Sequence, residues 1–152
     1  MEGNHESTES NPQIKVEWKK DDDSDIEDLF IRFEESSYHA LLVDGVLYGG
    51  KLEVLPAEKQ RTGIGTMLLK KLIEAAKERG VHLIYHHAQS LEGLLIIKNK
   101  LVVPERKYWD PKNGKELQYE EAVEILQQKK DKGVEDIGTF VQTTTVVDEL
   151  ED

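Results

Sequence analysis

The 152-residue chain has no cysteine. That absence excludes disulfide scaffolds, thiolate zinc sites, iron–sulfur clusters and a cysteine nucleophile together. Long apolar runs are missing as well. Leu94–Ile97 and Leu101–Val103 fall far short of the ~20 residues that cross a bilayer as a helix. The stretch Met1–Asn11 is polar and lacks the basic-then-apolar layout of a leader. With 38% hydrophobic residues a chain of this length can bury a real core, which excludes wholesale disorder. The expectation is a soluble, cytoplasmic protein with no membrane partner.

The net charge of −11 is not spread along the chain. Residues 1–28 hold ten acids and three lysines, residues 145–152 hold four acids and no base, and residues 29–144 hold seventeen of each. The middle is electrically balanced, and no basic stripe with interleaved aromatics runs through it. Direct nucleic-acid binding is therefore not expected. The ends read as a polar, acidic tail over 1–12 and an acidic tail over 148–152, on either side of one domain over 13–147.

Along the chain, Ile14–Trp18 alternates apolar and polar residues, as a half-buried strand does. Ser24 and Glu27 form a capping box ahead of Ile26, Leu29, Phe30 and Phe33, so 25–35 is expected as a short helix. A strand over Leu29–Glu34 is the rival, because Leu29, Ile31 and Phe33 also alternate. Tyr38–Val43 and Val46–Leu55 are apolar runs joined by Asp44-Gly45, a hairpin signal. Gly49-Gly50 inside the second run predicts a bulge or a close approach of another chain segment. Helical spacing over Gly63–Arg79 ends at Gly80. A strand over Val81–Ala88, a helix over Leu91–Lys100 and an extended segment over Leu101–Trp109 follow. After a turn at Pro111–Gly114 come a helix over Tyr119–Lys130 and a strand over Gly138–Val147. The expected order is β-α-β-β-α-β-α-β-α-β.

The chemistry concentrates in Leu52–Leu69, where a strand runs through a turn into a helix that opens with two glycines. The first N–H groups of a helix lack internal partners and carry the positive end of its dipole. Glycines there let an anion approach without meeting a Cβ, so Arg61–Thr66 can form an amide-lined socket for phosphate. A Gly-Lys-Ser/Thr triphosphatase loop is absent, and the Gly-x-Gly-x-x-Gly dinucleotide pattern fails at Leu68.

Gln60-Arg61-Thr62-Gly63-Ile64-Gly65 resembles the Gln/Arg-x-x-Gly-x-Gly/Ala signature of the GNAT superfamily of N-acetyltransferases. Val54-Leu55-Pro56 and Thr66–Leu69 are similar to its flanks, and the resemblance covers roughly residues 38–110. It implies an α/β (α+β) fold: a mixed, mostly antiparallel central sheet, splayed at the cofactor site, with helices on both faces. It also implies acetyl-coenzyme A as co-substrate and no metal. The cofactor would lie on Val54, Leu55, Gln60, Arg61, Thr62, Gly63, Ile64, Gly65 and Thr66, with pantetheine along Leu52–Leu55 where that strand leaves Val81–Ala88. The acetyl group would pass directly to an amine acceptor: a protein lysine, an N-terminus or a small-molecule amine. Relatives often dimerise through the final strands, so a homodimer is a possible assembly. One departure stands out. Ile97 or Lys98 occupies the place where many members carry a tyrosine that protonates the leaving thiolate. A fold kept for binding or inhibition without turnover, using its two acidic ends for protein interaction, is the alternative that this departure leaves open.

For proton transfer the candidates are Glu53, near the end of the strand before the loop, and Tyr85, His86 and His87 on the strand after the helix. Their bland readings are a surface glutamate and core or sheet aromatics. His82 and His86 would share a strand face about 13 Å apart, too far to hold one metal ion.

Overall fold

A computed structural model of the chain describes residues 13–20, 22, 25–55, 63–131 and 139–150. Among these, eight strands form one sheet: β1 (Lys15–Lys20), β2 (Glu27–Phe33), β3 (Ser36–Val43), β4 (Val46–Glu53), β5 (Leu83–Ala88), β6 (Tyr108–Asp110), β7 (Lys115–Leu117) and β8 (Val141–Val146). Their order across the sheet is β1-β2-β3-β4-β5-β8-β6-β7. Only β4 and β5 pair in parallel; the other pairings are antiparallel. The helices are α1 (Ile64–Glu78), α2 (Leu91–Lys100) and α3 (Tyr119–Asp131), and a 3₁₀ turn covers Val147–Glu149.

The expected helix over 25–35 is a strand, so the rival reading holds. Leu29 and Ile31 are fully buried on the face that α1 covers, while Phe30 points the other way and stacks on His39 at 4.5 Å. Period two wins because β1 and β3 pair with both edges of this segment and satisfy its backbone. The turn into β3 is Glu34-Glu35, with Glu34 at φ 55, and no turn-forming residue marks it in the sequence. The next hairpin follows its signal: Asp44 and Gly45 take φ 51 and 78.

Buried and partly buried residues alternate along β5. Ile84, His86 and Ala88 are buried; Leu83, Tyr85 and His87 are half-buried. Ile84 joins the core beneath α1, and Ala88 the core that α3 closes with Ala122 and Leu126. Residues two apart on a strand share a face, so both cores lie on the same side of the sheet. Helix α2 bridges them, with Ile97 in the first and Leu94 in the second. The expected helices on both faces are thus not found among the described residues: all three pack on one.

The chain end also differs from expectation. Asp148–Leu150 is not a free acidic tail, since Val147 is buried, Leu150 packs against the first core and Asp148 lies 2.9 Å from His82 Nδ1. The expected N-terminal tail over 1–12 lies outside the described residues.

Gly49-Gly50 forms the predicted bulge. Two residues of β4 stand opposite Ala40 between the pairs His39–Lys51 and Leu41–Tyr48, and Gly49 takes φ 66. Gly50 is required for a different reason. A Cβ there would lie 1.7 Å from the Tyr38 hydroxyl oxygen and 3.1 Å from the Tyr85 carbonyl. Gly50→Ala should therefore destabilise the fold by roughly 3 kcal/mol or more, as overpacking against a fixed core does. Gly114→Ala meets open space at φ 69 and should cost only about 1 kcal/mol. Urea unfolding of both variants measures the contrast; equal losses would contradict it.

Candidate functional site

Strands β4 and β5 lie side by side only as far as Gly50 and His86. Beyond that pair β4 stays with β3 to the Ser37–Glu53 pair, and β5 stays with β8 to the Ala88–Val141 pair. Ser36 fixes the departing end of β4: its buried hydroxyl accepts from the Leu55 N–H at 2.9 Å and donates to the Leu55 carbonyl at 3.1 Å. The end of β4, with Gln89 and Ser90 just after β5, borders a cleft of about 810 Å³, which runs from Lys51–Leu55 past Gly63, Gly65 and Thr66 to one side of α2.

The helix that opens on this cleft is the one without a cap. Helix α2 begins with Ser90, whose hydroxyl accepts from the Gly93 N–H, and has Glu92 in its first turn. Helix α3 has Glu120 and Glu121 there. Helix α1 has no acid in its first turn and no capping side chain, and its N-cap Gly63 sits at φ 92. Its first N–H groups and the positive end of its dipole are therefore available to an anion. A Cβ on Gly63 would meet nothing, whereas one on Gly65 would press within 3.1 Å of Ile96 and crowd Leu52 and Val54. Lys51, Lys100 and Lys129 also line the cleft, against Glu53 and Glu92. An elongated ligand with an anionic middle and an apolar arm fits these donors.

Of the residues expected to bind cofactor, Val54, Leu55, Gly63, Gly65 and Thr66 line the cleft. Ile64 does not; its side chain is buried in the core. Gln60, Arg61 and Thr62 lie outside the described residues. Among the proton-transfer candidates, only Glu53 is a cleft residue. Tyr85 stands on the helix-free face, stacked on Tyr48 at 5.2 Å. His87 shares that face, half-buried against Phe140 at 4.4 Å, and burial pulls its pKa below the usual imidazole value. The position expected for a tyrosine is spent elsewhere: Ile97 is buried and the Lys98 ammonium lies 4.8 Å from the centre of the Tyr119 ring.

His86 has a different fate. It is fully buried on the helix face, with Nδ1 2.9 Å from the Tyr38 hydroxyl and Nε2 2.9 Å from the Thr145 hydroxyl. Arg106 continues the network. Its guanidinium donates to the hydroxyls of Thr143 and Thr145 and to the carbonyls of Leu101 and Thr144. The Thr143 hydroxyl in turn donates to the Lys107 carbonyl at 2.7 Å. Burial, with the Arg106 charge second and His87 third, lowers the His86 pKa to about 3. Tyr38, Arg106, Thr143 and Thr145 were not legible as a group, because they are far apart in sequence and are joined only by the sheet. Among the described residues no cluster of three or more metal-ligating side chains occurs.

The family model of the acetyltransferase (GNAT) family matches residues 8–91, more than half of the chain. No curated relative matches. Several solved structures are similar at low identity. An acetyltransferase of Bacillus subtilis in complex with coenzyme A is 13% identical over 88% of this chain and 99% of that one, with a TM-score of 0.48. A provisionally assigned acetyltransferase of Agrobacterium tumefaciens is 14% identical over 90% and 76%, with a TM-score of 0.45. A tandem GNAT protein of clavulanic acid biosynthesis is 14% identical over 64% of this chain and 36% of that one, with a TM-score of 0.39.

Burial of His86 has a consequence for stability. Below its ordinary pKa of 6.5 the unfolded chain takes up a proton that the folded chain refuses until about pH 3. Stability present above pH 6.5 should thus fall as the pH drops, by roughly 2 kcal/mol between pH 6.5 and 5 from this residue. Urea midpoints across that range test it. His86→Gln should flatten most of the slope, and an unchanged slope would show that another group carries it.

Proposed function

The chain belongs to the GNAT family of acetyltransferases, and from that premise we propose that it moves an acetyl group from acetyl-coenzyme A directly to a primary amine. The observation that carries this reading is the coincidence of three features on one cleft: the parting of β4 and β5 after Gly50–His86, the uncapped start of α1, and the glycines at 63 and 65. A phosphate-bearing ligand with a long arm uses all three. The α1 amides would hold the pyrophosphate, and Leu52, Val54 and Leu55 the pantetheine arm. Lys51 and Lys100, which also line the cleft, suit the remaining phosphate charge.

Bound acetyl-coenzyme A would supply the activated acyl thioester. The chain has no cysteine, so no thiol can take the acyl group as an intermediate carrier, and direct attack by the amine fits the family. In that attack the nitrogen–carbon bond forms and the carbon–sulfur bond breaks. Sulfur leaves with the electron pair, and the amine's surplus proton needs an acceptor. His87 suits that task best. It is half-buried on the helix-free face, a Cβ on Gly49 would lie 3.8 Å from its ring, and its lowered pKa keeps it neutral at pH 7. Glu53, on the cleft wall, is the second acceptor. Tyr85 is engaged with Tyr48 and serves as a wall beside the opening. His86 has both ring nitrogens engaged and takes no part in carrying protons to solvent.

Mass spectrometry with labelled acetyl-coenzyme A across a panel of amines tests the activity. Coenzyme A binding without acetylated product on any amine would turn the reading toward the alternative, a binding module. Replacing Gly63 with Ala and Gly65 with Val should weaken coenzyme A at least about tenfold by calorimetry, about 1.4 kcal/mol. Equal affinity in a folded double variant would sink the assignment of the socket. His87→Gln should lower kcat ~100-fold. For the wild type kcat should rise with pH through an acid limb whose midpoint lies below the ordinary imidazole value, because the neutral ring is the active form and burial lowers its pKa. That acid limb should vanish in His87→Gln; a variant that keeps both rate and limb places the base elsewhere.

A further inference from the structure

His87 stands at one end of a row of side chains that the acetyl transfer leaves unused. Successive register pairs join it to Gln142 on β8, Gln142 to Trp109 on β6, and Trp109 to Glu116 on β7. Residues directly opposite each other on antiparallel strands share a face, with Cβ atoms about 5 Å apart. The four side chains therefore form one transverse row on the helix-free face, three such steps or roughly 15 Å long. Their neighbours along each strand face the other way. Tyr108 and Thr143 are buried on the helix side, and Lys115 lies 3.7 Å from Glu121 of α3.

The row changes chemistry along its length. At the β5 end the His87 ring packs on Phe140 at 4.4 Å and lies beside Gly49, next to the pair where β4 and β5 part. In the middle Gln142 and Trp109 are half-buried, so a carboxamide and an indole are each partly open to solvent. Trp18, Phe30 and Tyr119 each lie under a cation of the chain itself, but the Trp109 ring has no such partner among the described contacts. At the far end Glu116 is exposed and enters none of the described ion pairs, while Lys115 beside it is paired. No base belongs to the row. An indole face next to a carboxylate attracts an ammonium, by about 0.5–1 kcal/mol for the ring at an exposed site.

We propose that this row is the acceptor track and that the acceptor is a linear aliphatic polyamine. Its reacting nitrogen meets His87 beside the strand opening, and a second, cationic nitrogen is held by Trp109 and Glu116. The inference rests on the acetyltransferase reading above, with His87 as the proton acceptor. Nine bonds between terminal nitrogens span roughly 11 Å when extended. With a hydrogen bond of about 3 Å at each end, that covers the row to within the reach of the glutamate stem. A monoamine leaves the indole and the carboxylate unused, and a ligand with an anionic far end meets Glu116 as a like charge. The second nitrogen is bound alike before and during the attack, so its contacts act on KM rather than on kcat. Trp109 and Glu116 are specificity residues that touch no reacting atom.

The test measures acetylated product by mass spectrometry for wild type, Glu116→Gln and Trp109→Leu. The acceptors are spermidine, octylamine, which has a similar length and one charge, and a peptide carrying two lysines. Wild type should favour spermidine over octylamine in kcat/KM by about tenfold, through KM, as for one cation–π contact and one exposed ion pair. Glu116→Gln should reduce that preference about threefold, and Trp109→Leu by a similar factor. High salt should weaken the preference in wild type and leave that of Glu116→Gln nearly unmoved. Trp109 is half-buried, so should its variant melt early, Glu116→Gln and the salt series decide. Equal kcat/KM for spermidine and octylamine in wild type overturns the inference, as does a preference that Glu116→Gln leaves untouched. So does a preference for the peptide, or a failure to acetylate spermidine when another amine is acetylated. Each of these outcomes leaves the acetyltransferase reading intact. Acetylation of no amine at all removes the reading itself and the inference with it.

Discussion

Two parallel strands that stop sharing hydrogen bonds in the middle of a sheet create an unusual demand. Beyond Gly50 and His86 the inner edges of β4 and β5 no longer pair with each other, although each keeps its outer neighbour. Unpaired backbone groups inside a fold are expensive unless water or a ligand meets them. The cleft is the solution to that demand, and most of the surrounding structure can be traced to it. The bulge at Gly49-Gly50 turns β4 away. Ser36 ties the end of β4 to β3 through Leu55, and α1 starts where the divergence leaves room.

A second constraint holds the two halves of the sheet together. The apolar core divides into one cluster under α1 and another under α3. At the join sits a polar chain from Tyr38 through His86 and Thr145 to Arg106, rather than more aliphatic packing. Arg106 binds hydroxyls and carbonyls and shows no carboxylate partner among the described contacts, while burial lowers its pKa. Such a network is stable only when nearly all its members are satisfied, because each orphaned buried group costs about 1–3 kcal/mol. It links β3, β5 and β8 through their side chains.

The replacement of an expected helix by β2 changes the other side of the molecule. With α1, α2 and α3 all on one face, the side chains of the strands cover one another on the opposite face among the described residues. Phe30 with His39, Tyr48 with Tyr85, and His87 with Phe140 form ring pairs there. Arg32 lies 4.7 Å over the Phe30 ring and reaches Glu17 at 3.1 Å, so much of this shielding is local to the strands. At the apex of the gap the helix side is closed by the fully buried Tyr38, Leu47 and His86. On the helix-free side Tyr48 remains 43% exposed.

The features read directly from the sequence are those whose causes are local. The Asp44-Gly45 hairpin, the bulge at Gly49-Gly50, the long helix ending before Gly80 and the glycine-marked start of α1 each follow from backbone freedom or a spacing within a few residues. So does the match of Gln60–Gly65 to a family pattern, although part of that loop lies outside the described residues. Local spacing misled where two periods overlapped. Leu29, Ile31 and Phe33 suit a strand as well as Ile26, Leu29, Phe30 and Phe33 suit a helix, and only pairing with β1 and β3 decided between them. The roles of the histidines were decided later still. His86 and His87 are neighbours with the same chemistry, yet strand alternation sends one into a dry polar network and the other to a half-open face. Which face is dry depends on where all three helices pack. Arg106 and Thr145 came into contact with that network through strand order, a property of the assembled sheet that no short window of sequence contains.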